Sequence, residues 1–195
     1  MHRLFFIQSI FQANIFFALI SWFSLVGCAK YSEEVEANLT KLKNTKSCPG
    51  CDLSGIELIS FDLKKADLSG ANLTEANLRR SDLTGANLTG ANLTDADLMG
   101  VNLTSAKLIN TNLSGVKLSY SNIYEAEISG AILKGAHLNS SKIVNSKIRD
   151  SDMTGANLYN ADLTDTKVSD ETLNDTVLCK TIMPSGRRND SRCKR

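Results

Sequence analysis

Histidine is scarce in this chain, and so are the residue combinations on which enzymes depend. Only two histidines occur in 195 residues, and His137 is the one that lies beyond the N-terminal segment. No nucleophile–base pair, phosphate-binding loop or set of metal ligands accompanies it. An imidazole without partners is most simply a surface residue. The sequence therefore predicts no catalytic residue, no metal site and no cofactor, and it favours a non-enzymatic protein.

The chain also lacks an apolar run long enough to cross a membrane. Its N-terminal apolar stretch is interrupted by Gln8 and Asn14, which leaves roughly 12 clean apolar residues where about 20 are needed. The stretch ends at Leu25–Cys28, which resembles the bacterial lipobox, whose cysteine is lipidated and becomes the new N-terminus. This resemblance predicts a signal peptide over residues 1–27, palmitate at Cys28 and a lipid-anchored protein on the periplasmic or outer-membrane face. An uncleaved anchor and an ordinary signal peptide are the alternatives.

What the sequence does contain is a leucine, or a close substitute, at every fifth position from Leu53 to Leu178, through 26 units in one phase. A small residue stands two positions before most of them, with Asp or Asn between. Residues two apart point to the same side of an extended segment, so the polar residue faces outward. The next two residues often include glycine and have turn chemistry. Each unit is therefore predicted to form one side and one corner of a square coil of 20 residues.

Stacking such coils places residue n next to residue n+20. At ~4.8 Å per coil, 26 units predict about 6.5 coils and a rod roughly 30 Å long. The runs at 71–78 and 86–93, both built on Ala-Asn-Leu-Thr, resemble pentapeptide repeat proteins. That family forms a right-handed quadrilateral β-helix, and the resemblance covers residues 51–178. We therefore expect an all-β solenoid.

Both ends of the repeat carry segments that are expected to close it. Val35, Leu39 and Leu42 recur with helical spacing, which predicts a short amphipathic helix over the first coil. This makes residues 28–50 a lipid-anchored spacer and N-terminal cap, with a flexible tether as the alternative. Residues 179–195 resemble a C-terminal closing segment of exported family members, and we expect a rod closed at both ends.

The remaining cysteines are Cys48, Cys51, Cys179 and Cys193. The first two lie at the first coil and the last two follow the final coil, roughly 30 Å away by the coil spacing, which is beyond the reach of a disulfide. Only pairing within each end is possible, and export would favour oxidation. The Cys48–Cys51 spacing also occurs in redox and zinc motifs, but Cys51 occupies an inward position, so a structural role is predicted.

One part of the surface is a candidate for binding a partner. The n+20 rule places Ile59, Arg79, Met99 and Tyr159 in one column, with Tyr120 beside it. An exposed apolar strip can mark an interaction surface, although scattered apolar residues are ordinary on protein surfaces. The candidate partner surface therefore consists of Ile59, Met99, Tyr120 and Tyr159.

The predicted function is a non-enzymatic, membrane-tethered scaffold of the bacterial cell envelope, with an unknown protein or envelope partner and no nucleic acid. Family resemblance supplies an alternative, since some members are acidic rods that mimic DNA and inhibit DNA gyrase. Residues 51–178 hold 17 acidic and 11 basic side chains, a net charge of −6. This is weak for a mimic of duplex DNA. Residues 179–195 are basic, with six cations against one acid.

Overall fold

The computed structural model describes residues 30–191 and Cys193. The chain divides into two compact units, Met1–Ser32 and Glu33–Arg195. Only the last three residues of the first unit are described, so the predicted signal peptide and Cys28 lie outside the described residues. The second unit contains the whole repeat. Within the described part of the chain, no helix is both long and apolar enough to span a membrane.

The described elements are two helices and one small hairpin, joined by the five-residue units. Helix α1 spans Glu33–Thr45 and the single-turn helix α2 spans Asp170–Leu173. Strands β1 (Thr181–Ile182) and β2 (Arg188–Asn189) pair in antiparallel orientation. Each regular unit contributes one isolated bridge residue and one turn. Extended strands are short because a square coil turns a corner after every side.

The predicted register of the coils is confirmed by parallel bridges that join residues 20 apart. Asp52 bridges Asn72, which bridges Asn92. At each contact the backbone makes a pair of hydrogen bonds: Leu73 N–H donates to the Asn92 carbonyl at 2.7 Å, and Asn92 N–H donates to the Ala71 carbonyl at 2.9 Å. Each polar position of one coil therefore lies next to the same position of its neighbours.

The interior consists of large and small side chains in alternation. From Leu53 to Leu163 the central residues of the units are buried, and alanine fills most of the small positions. Where serine or threonine replaces alanine, its hydroxyl bonds to the main chain: Thr111 Oγ1 donates to the Leu88 carbonyl of the preceding coil at 2.8 Å. No buried side-chain nitrogen or oxygen lacks a partner in the described residues. The narrow core therefore accepts hydroxyls without a desolvation penalty.

Helix α1 contacts the first coil. Asn38 Nδ2 donates to the Asp52 carbonyl at 3.0 Å, while Val35 and Leu42 are buried. Ile56 of the first coil is fully buried at a position where the next two coils have alanine, at Ala76 and Ala96. The hydrogen bond from Asn38 and the burial of Val35 and Leu42 therefore place α1 against the first coil.

The repeat is not regular to its end, which corrects the expectation of an unbroken β-helix over 51–178. Among the described residues, Asp152 has no bridge to Thr172, and the chain forms α2 there. Glu171 falls in the position reserved for a small inward residue and is exposed. Burying its carboxylate would be costly, so this side of the coil moves outward. Leu173 nevertheless remains buried, so the leucine phase is preserved although the conformation is not.

The displaced side opens a surface cleft of about 310 Å³. Val168, which precedes α2 by two residues and is predicted from the repeat to be a core residue, is only half-buried. The cleft is lined by acidic and hydroxyl side chains together with Met153: Asp150, Ser151, Asp152, Thr154, Ser169, Glu171, Thr172 and Asp175. In the described part of the chain, no group of His, Cys, Asp or Glu side chains could hold a metal ion.

Candidate interaction surface

The cysteines form two disulfides, one at each end of the solenoid. Cys48 is bonded to Cys51, and Cys179 is bonded to Cys193. Cys48 and Cys51 are both buried. These are the pairs that the coil spacing predicts.

His137 bridges Lys117 and Asn157 through its backbone, as one member of an outward ladder.

The outward Asp and Asn residues have a local structural role that the sequence interpretation missed. Asn72 Oδ1 accepts hydrogen bonds from the Thr74 N–H at 3.3 Å and from the Thr74 hydroxyl at 2.7 Å. Asp67 does the same with Ser69, at 3.1 and 2.7 Å. These are Asx turns, which satisfy backbone donors at the corner of the coil. The recurring Asn-Leu-Thr and Asp-Leu-Ser triplets were the available signal.

These hydrogen bonds lower the pKa of several aspartates in the folded state. The Ser54 backbone N–H holds the pKa of Asp52 below its ordinary value of 3.8. The Ser69 hydroxyl does so for Asp67, and the Thr154 hydroxyl for Asp152. In each case the donors favour the ionised carboxylate.

Acid should therefore weaken the fold through these groups. Because their folded-state pKa is lowered, their contribution is present above the unfolded value near pH 3.8 and is lost as the pH falls below it. A triple variant, Asp52→Asn/Asp67→Asn/Asp152→Asn, keeps the acceptor oxygen but cannot titrate. Chemical denaturation between about pH 2 and pH 6 should show a flatter stability profile for this variant. Parallel profiles for both proteins would contradict the assignment.

Exposed apolar side chains are concentrated on one side of the solenoid. In the described residues, the exposed large hydrophobic residues are Ile59, Tyr120, Ile132, Tyr159 and Val177. All but Ile132 belong to one of the four sides. We call it the tyrosine side and define it as residues 57–60, 77–80, 97–100, 117–120, 137–140, 157–160 and 177–180.

The predicted column within this side is only partly continuous. Ile59 is 51% exposed, and further along Arg79 Nη2 lies 3.7 Å from Met99 Sδ. The column is then interrupted by Ser119, which is buried and donates to Asn139 Oδ1 at 2.7 Å. The apolar strip therefore consists of two patches separated by polar residues.

Tyr120 is the most exposed large hydrophobic residue in the described part of the chain. It is 65% exposed, and its φ is 60°, in the left-handed region. A bulky side chain is strained there, and glycine occupies the equivalent corner one coil earlier, at Gly100. An exposed aromatic side chain in a strained backbone gains nothing from core packing that would offset its cost. The left-handed φ is itself a property of the corner, since Arg80, Ser140 and Lys180 on the same side have φ values of 57°, 56° and 57°, so what distinguishes Tyr120 is its exposed ring.

The charges of the tyrosine side differ from those of the repeat as a whole. The side carries Arg79, Arg80, Lys117 and Lys180 against Glu57 and Asp97, a net charge of +2, whereas residues 51–178 carry −6. Lys180 Nζ lies 5.3 Å from the centroid of the Tyr159 ring, a cation–π distance. Aromatic residues and cations are therefore adjacent here.

The fold and its surface define a solenoid of five-residue units with an outward polar ladder and no recognisable catalytic constellation in the described residues. The family described as "Pentapeptide repeats" matches residues 62–98, 96–135 and 131–170, in eight copies. These ranges cover more than half of the chain, which therefore belongs to the pentapeptide repeat family. Its members form right-handed quadrilateral β-helices and are generally structural or interaction proteins rather than enzymes.

Several solved structures are similar to this chain. HetL, a pentapeptide repeat protein involved in heterocyst differentiation regulation in the cyanobacterium Nostoc sp. strain PCC 7120, is 19% identical, with 77% of this chain and 98% of HetL covered and a TM-score of 0.42. Rfr23 from the cyanobacterium Cyanothece 51142 is 27% identical, with 62% and 97% covered and a TM-score of 0.34. A form of QnrB1, a plasmid-mediated fluoroquinolone resistance protein, is 23% identical, with 64% and 71% covered and a TM-score of 0.27. No curated protein matches the chain.

Proposed function

We propose that this protein is a membrane-tethered scaffold of the cell envelope and that its tyrosine side binds a partner protein. The observation that carries the proposal is the concentration of exposed apolar residues on one of four sides. Tyrosine and arginine are the residues that most often dominate protein–protein binding energy. The net positive charge of this side favours a partner whose contact surface is acidic.

The scaffold we propose is a rod of about 6.5 coils, with α1 closing its first end. The bridges between residues 20 apart, the burial of Val35 and Leu42 and the hydrogen bond from Asn38 to Asp52 support this arrangement. A capped solenoid is rigid and does not stack on itself, because its end coils are covered. Such a rod presents side chains at a fixed spacing.

The tether rests on the sequence of the N-terminal segment. We propose that the chain is cleaved after residue 27 and lipidated at Cys28, which would hold the solenoid at the periplasmic or outer-membrane face. Mass analysis of the mature N-terminus, together with palmitate labelling, tests this. If Cys28 is neither acylated nor the first residue of the mature chain, the lipoprotein part of the proposal fails.

DNA mimicry, which the family resemblance suggests, has less support from the surface. A mimic needs a dense and regular array of negative charge, but the tyrosine side is net positive and the repeat carries only −6 in total. Inhibition of DNA supercoiling by purified gyrase at equimolar protein would favour this alternative over the scaffold.

The partner surface predicts an unusual effect of Tyr120→Gly. Glycine relieves the left-handed strain, so the free energy of unfolding should rise by about 1 kcal/mol. The same change removes the exposed ring, so crosslinking to the partner in intact cells, identified by mass spectrometry, should fall at least about tenfold, as for a binding hot spot.

The matched control for this prediction is Ser140→Gly. Ser140 occupies the same corner one coil further along, and its φ is 56°. Its gain in stability should be somewhat smaller, because the change also removes the hydroxyl that accepts from Asn160 Nδ2 at 3.2 Å. Crosslinking should be retained, since no aromatic ring is lost. If Tyr120→Gly stabilises the protein and leaves every crosslinked partner unchanged, the tyrosine side is not the binding surface.

A further inference from the structure

One segment of the solenoid has backbone groups that the following coil does not pair. One coil earlier, the Leu133 N–H donates to the Asp152 carbonyl at 2.7 Å, and the Asp152 N–H donates to the Ala131 carbonyl at 3.0 Å. At the equivalent positions, the Met153 N–H has no acceptor and the Ser151 carbonyl has no donor among the described residues. The bonds are missing where the chain forms α2 in place of a regular side. We call residues 150–153 the open edge.

The open edge is short, and pairing is regular on both sides of it. Before it, the Ile148 N–H donates to the Lys167 carbonyl at 2.8 Å, and after it the Gly155 N–H donates to the Asp175 carbonyl at 2.8 Å. Between them, the Asp150 N–H also lacks an acceptor in the described part of the chain. Two backbone donors and one acceptor therefore lie unpaired by any described residue at a single gap in the ladder. An unpaired sheet edge is a template for another extended chain.

The open edge borders the surface cleft of about 310 Å³. Residues 150–154 line one part of this cleft, and residues in and around α2 line the rest. The polar groups of α2 are partly engaged with each other, since Ser169 Oγ accepts from the Thr172 N–H at 3.2 Å. The place that the next regular side would occupy is therefore open to an extended segment from outside.

The side chains around the cleft determine which segment would fit. In the described residues, the lining includes no lysine or arginine but four exposed carboxylates: Asp150, Asp152, Glu171 and Asp175. None of these four forms an ion pair within the part of the chain that the structure describes. The region stays net negative, at −2, when four charged neighbours are added: Lys134, Arg149, Lys167 and Asp170. A segment with positive side chains would complement it.

We propose that the open edge binds an extended segment of another protein by strand addition, and that this segment carries lysine or arginine. In strand addition, main-chain hydrogen bonds give affinity and alternate side chains give specificity. Two carbonyls of the segment would accept from the Asp150 and Met153 N–H groups, and one of its N–H groups would donate to the Ser151 carbonyl. Its cations would face the carboxylates. These residues lie outside the tyrosine side, so the inference does not depend on the proposed function.

The test uses the full chain in a non-ionic detergent and a short, fluorescently labelled peptide of alternating lysine and threonine with blocked ends. Fluorescence anisotropy should show binding. The same peptide with a methylated backbone keeps its charges but loses its N–H donors, so it should bind at least about tenfold more weakly. Asp152→Asn/Asp175→Asn should weaken binding of the unmodified peptide about fivefold, as expected for two exposed ion pairs.

The matched control is Asp162→Asn/Asp165→Asn, which removes two carboxylates from the corresponding positions two sides further around the coil. Asparagine keeps the acceptor oxygen of the turn in both variants: Asp152 Oδ1 accepts from the Thr154 N–H at 2.9 Å, and Asp162 Oδ1 accepts from the Thr164 N–H at 3.0 Å. Because exposed charges on another side are screened by salt, the control should change binding less than about twofold.

Three results would overturn the proposal. Equal binding of the unmodified and methylated peptides would show that charge alone attracts them. Equal losses for the two aspartate pairs would show a non-specific response to net charge. The third result is absence of binding by the unmodified peptide. If the Asp152→Asn/Asp175→Asn variant then self-associates in sedimentation velocity, the carboxylates only protect a strand edge.

Discussion

Leu103→Ala should lower the free energy of unfolding by about 2–5 kcal/mol. Leu103 is fully buried at the centre of the solenoid. The Leu103 N–H donates to the Asn122 carbonyl of the following coil at 2.7 Å. From the preceding coil, the Leu83 N–H donates to the Asn102 carbonyl, next to Leu103, at 2.7 Å. The cavity would therefore lie between two coils that are fixed by hydrogen bonds and cannot collapse into it. Urea denaturation followed by circular dichroism measures the loss.

Leu103→Met is the control for this prediction. Methionine and leucine have similar volumes, so this exchange leaves no comparable cavity. The expected loss is below about 1.5 kcal/mol. If Leu103→Ala costs no more than Leu103→Met, the interior is not close-packed, and the ladder of leucines does not provide the main stability of the rod.

The period of five was sufficient to predict the register and the orientation of most side chains. It succeeded because a side chain in a narrow coil has only two choices: a leucine that turned outward would lose its burial, and an aspartate that turned inward would lose its hydration. The bridges from Asp52 to Asn72 and Asn92 follow from this alone. The exposed Tyr120 was also identified from the sequence, but its strained φ depends on which corner position it occupies.

The sequence did not predict the local structure where the central residue favours a regular unit but the residue two positions earlier does not. At Leu173 the leucine phase continues, and the phase alone indicated a regular unit. The small position two residues earlier holds Glu171, whose charge excludes it from the core, and the chain forms α2 instead. Ile56 departs from the small-residue rule in the opposite sense, because it is large and nevertheless fully buried. Both departures involve the residue two positions before the central one. This position therefore has to be considered together with the leucine when the conformation of a unit is predicted.

Loss of the disulfide between Cys179 and Cys193 should have the second large effect. The bond closes a loop with a sequence separation of 14 residues. In the chain-entropy model such a loop contributes about 3 kcal/mol. Cys179→Ser/Cys193→Ser should therefore lower stability by roughly that amount, and it should do so locally, because a solenoid is stabilised mainly by contacts between neighbouring coils.

Acceleration of hydrogen exchange at the last coil alone would show that the segment closes this end of the solenoid. Hydrogen exchange should accelerate at Leu163 and Thr181, whose N–H groups donate to the Ile182 and Leu178 carbonyls at 2.8 and 3.3 Å. It should remain slow at Leu83, several coils away. Uniform acceleration along the rod would show that the solenoid unfolds as one cooperative unit. If exchange at Leu163 and Thr181 does not accelerate, β1 and β2 remain paired without the covalent bond. Their pairing and the burial of Thr181 would then be enough to close the last coil.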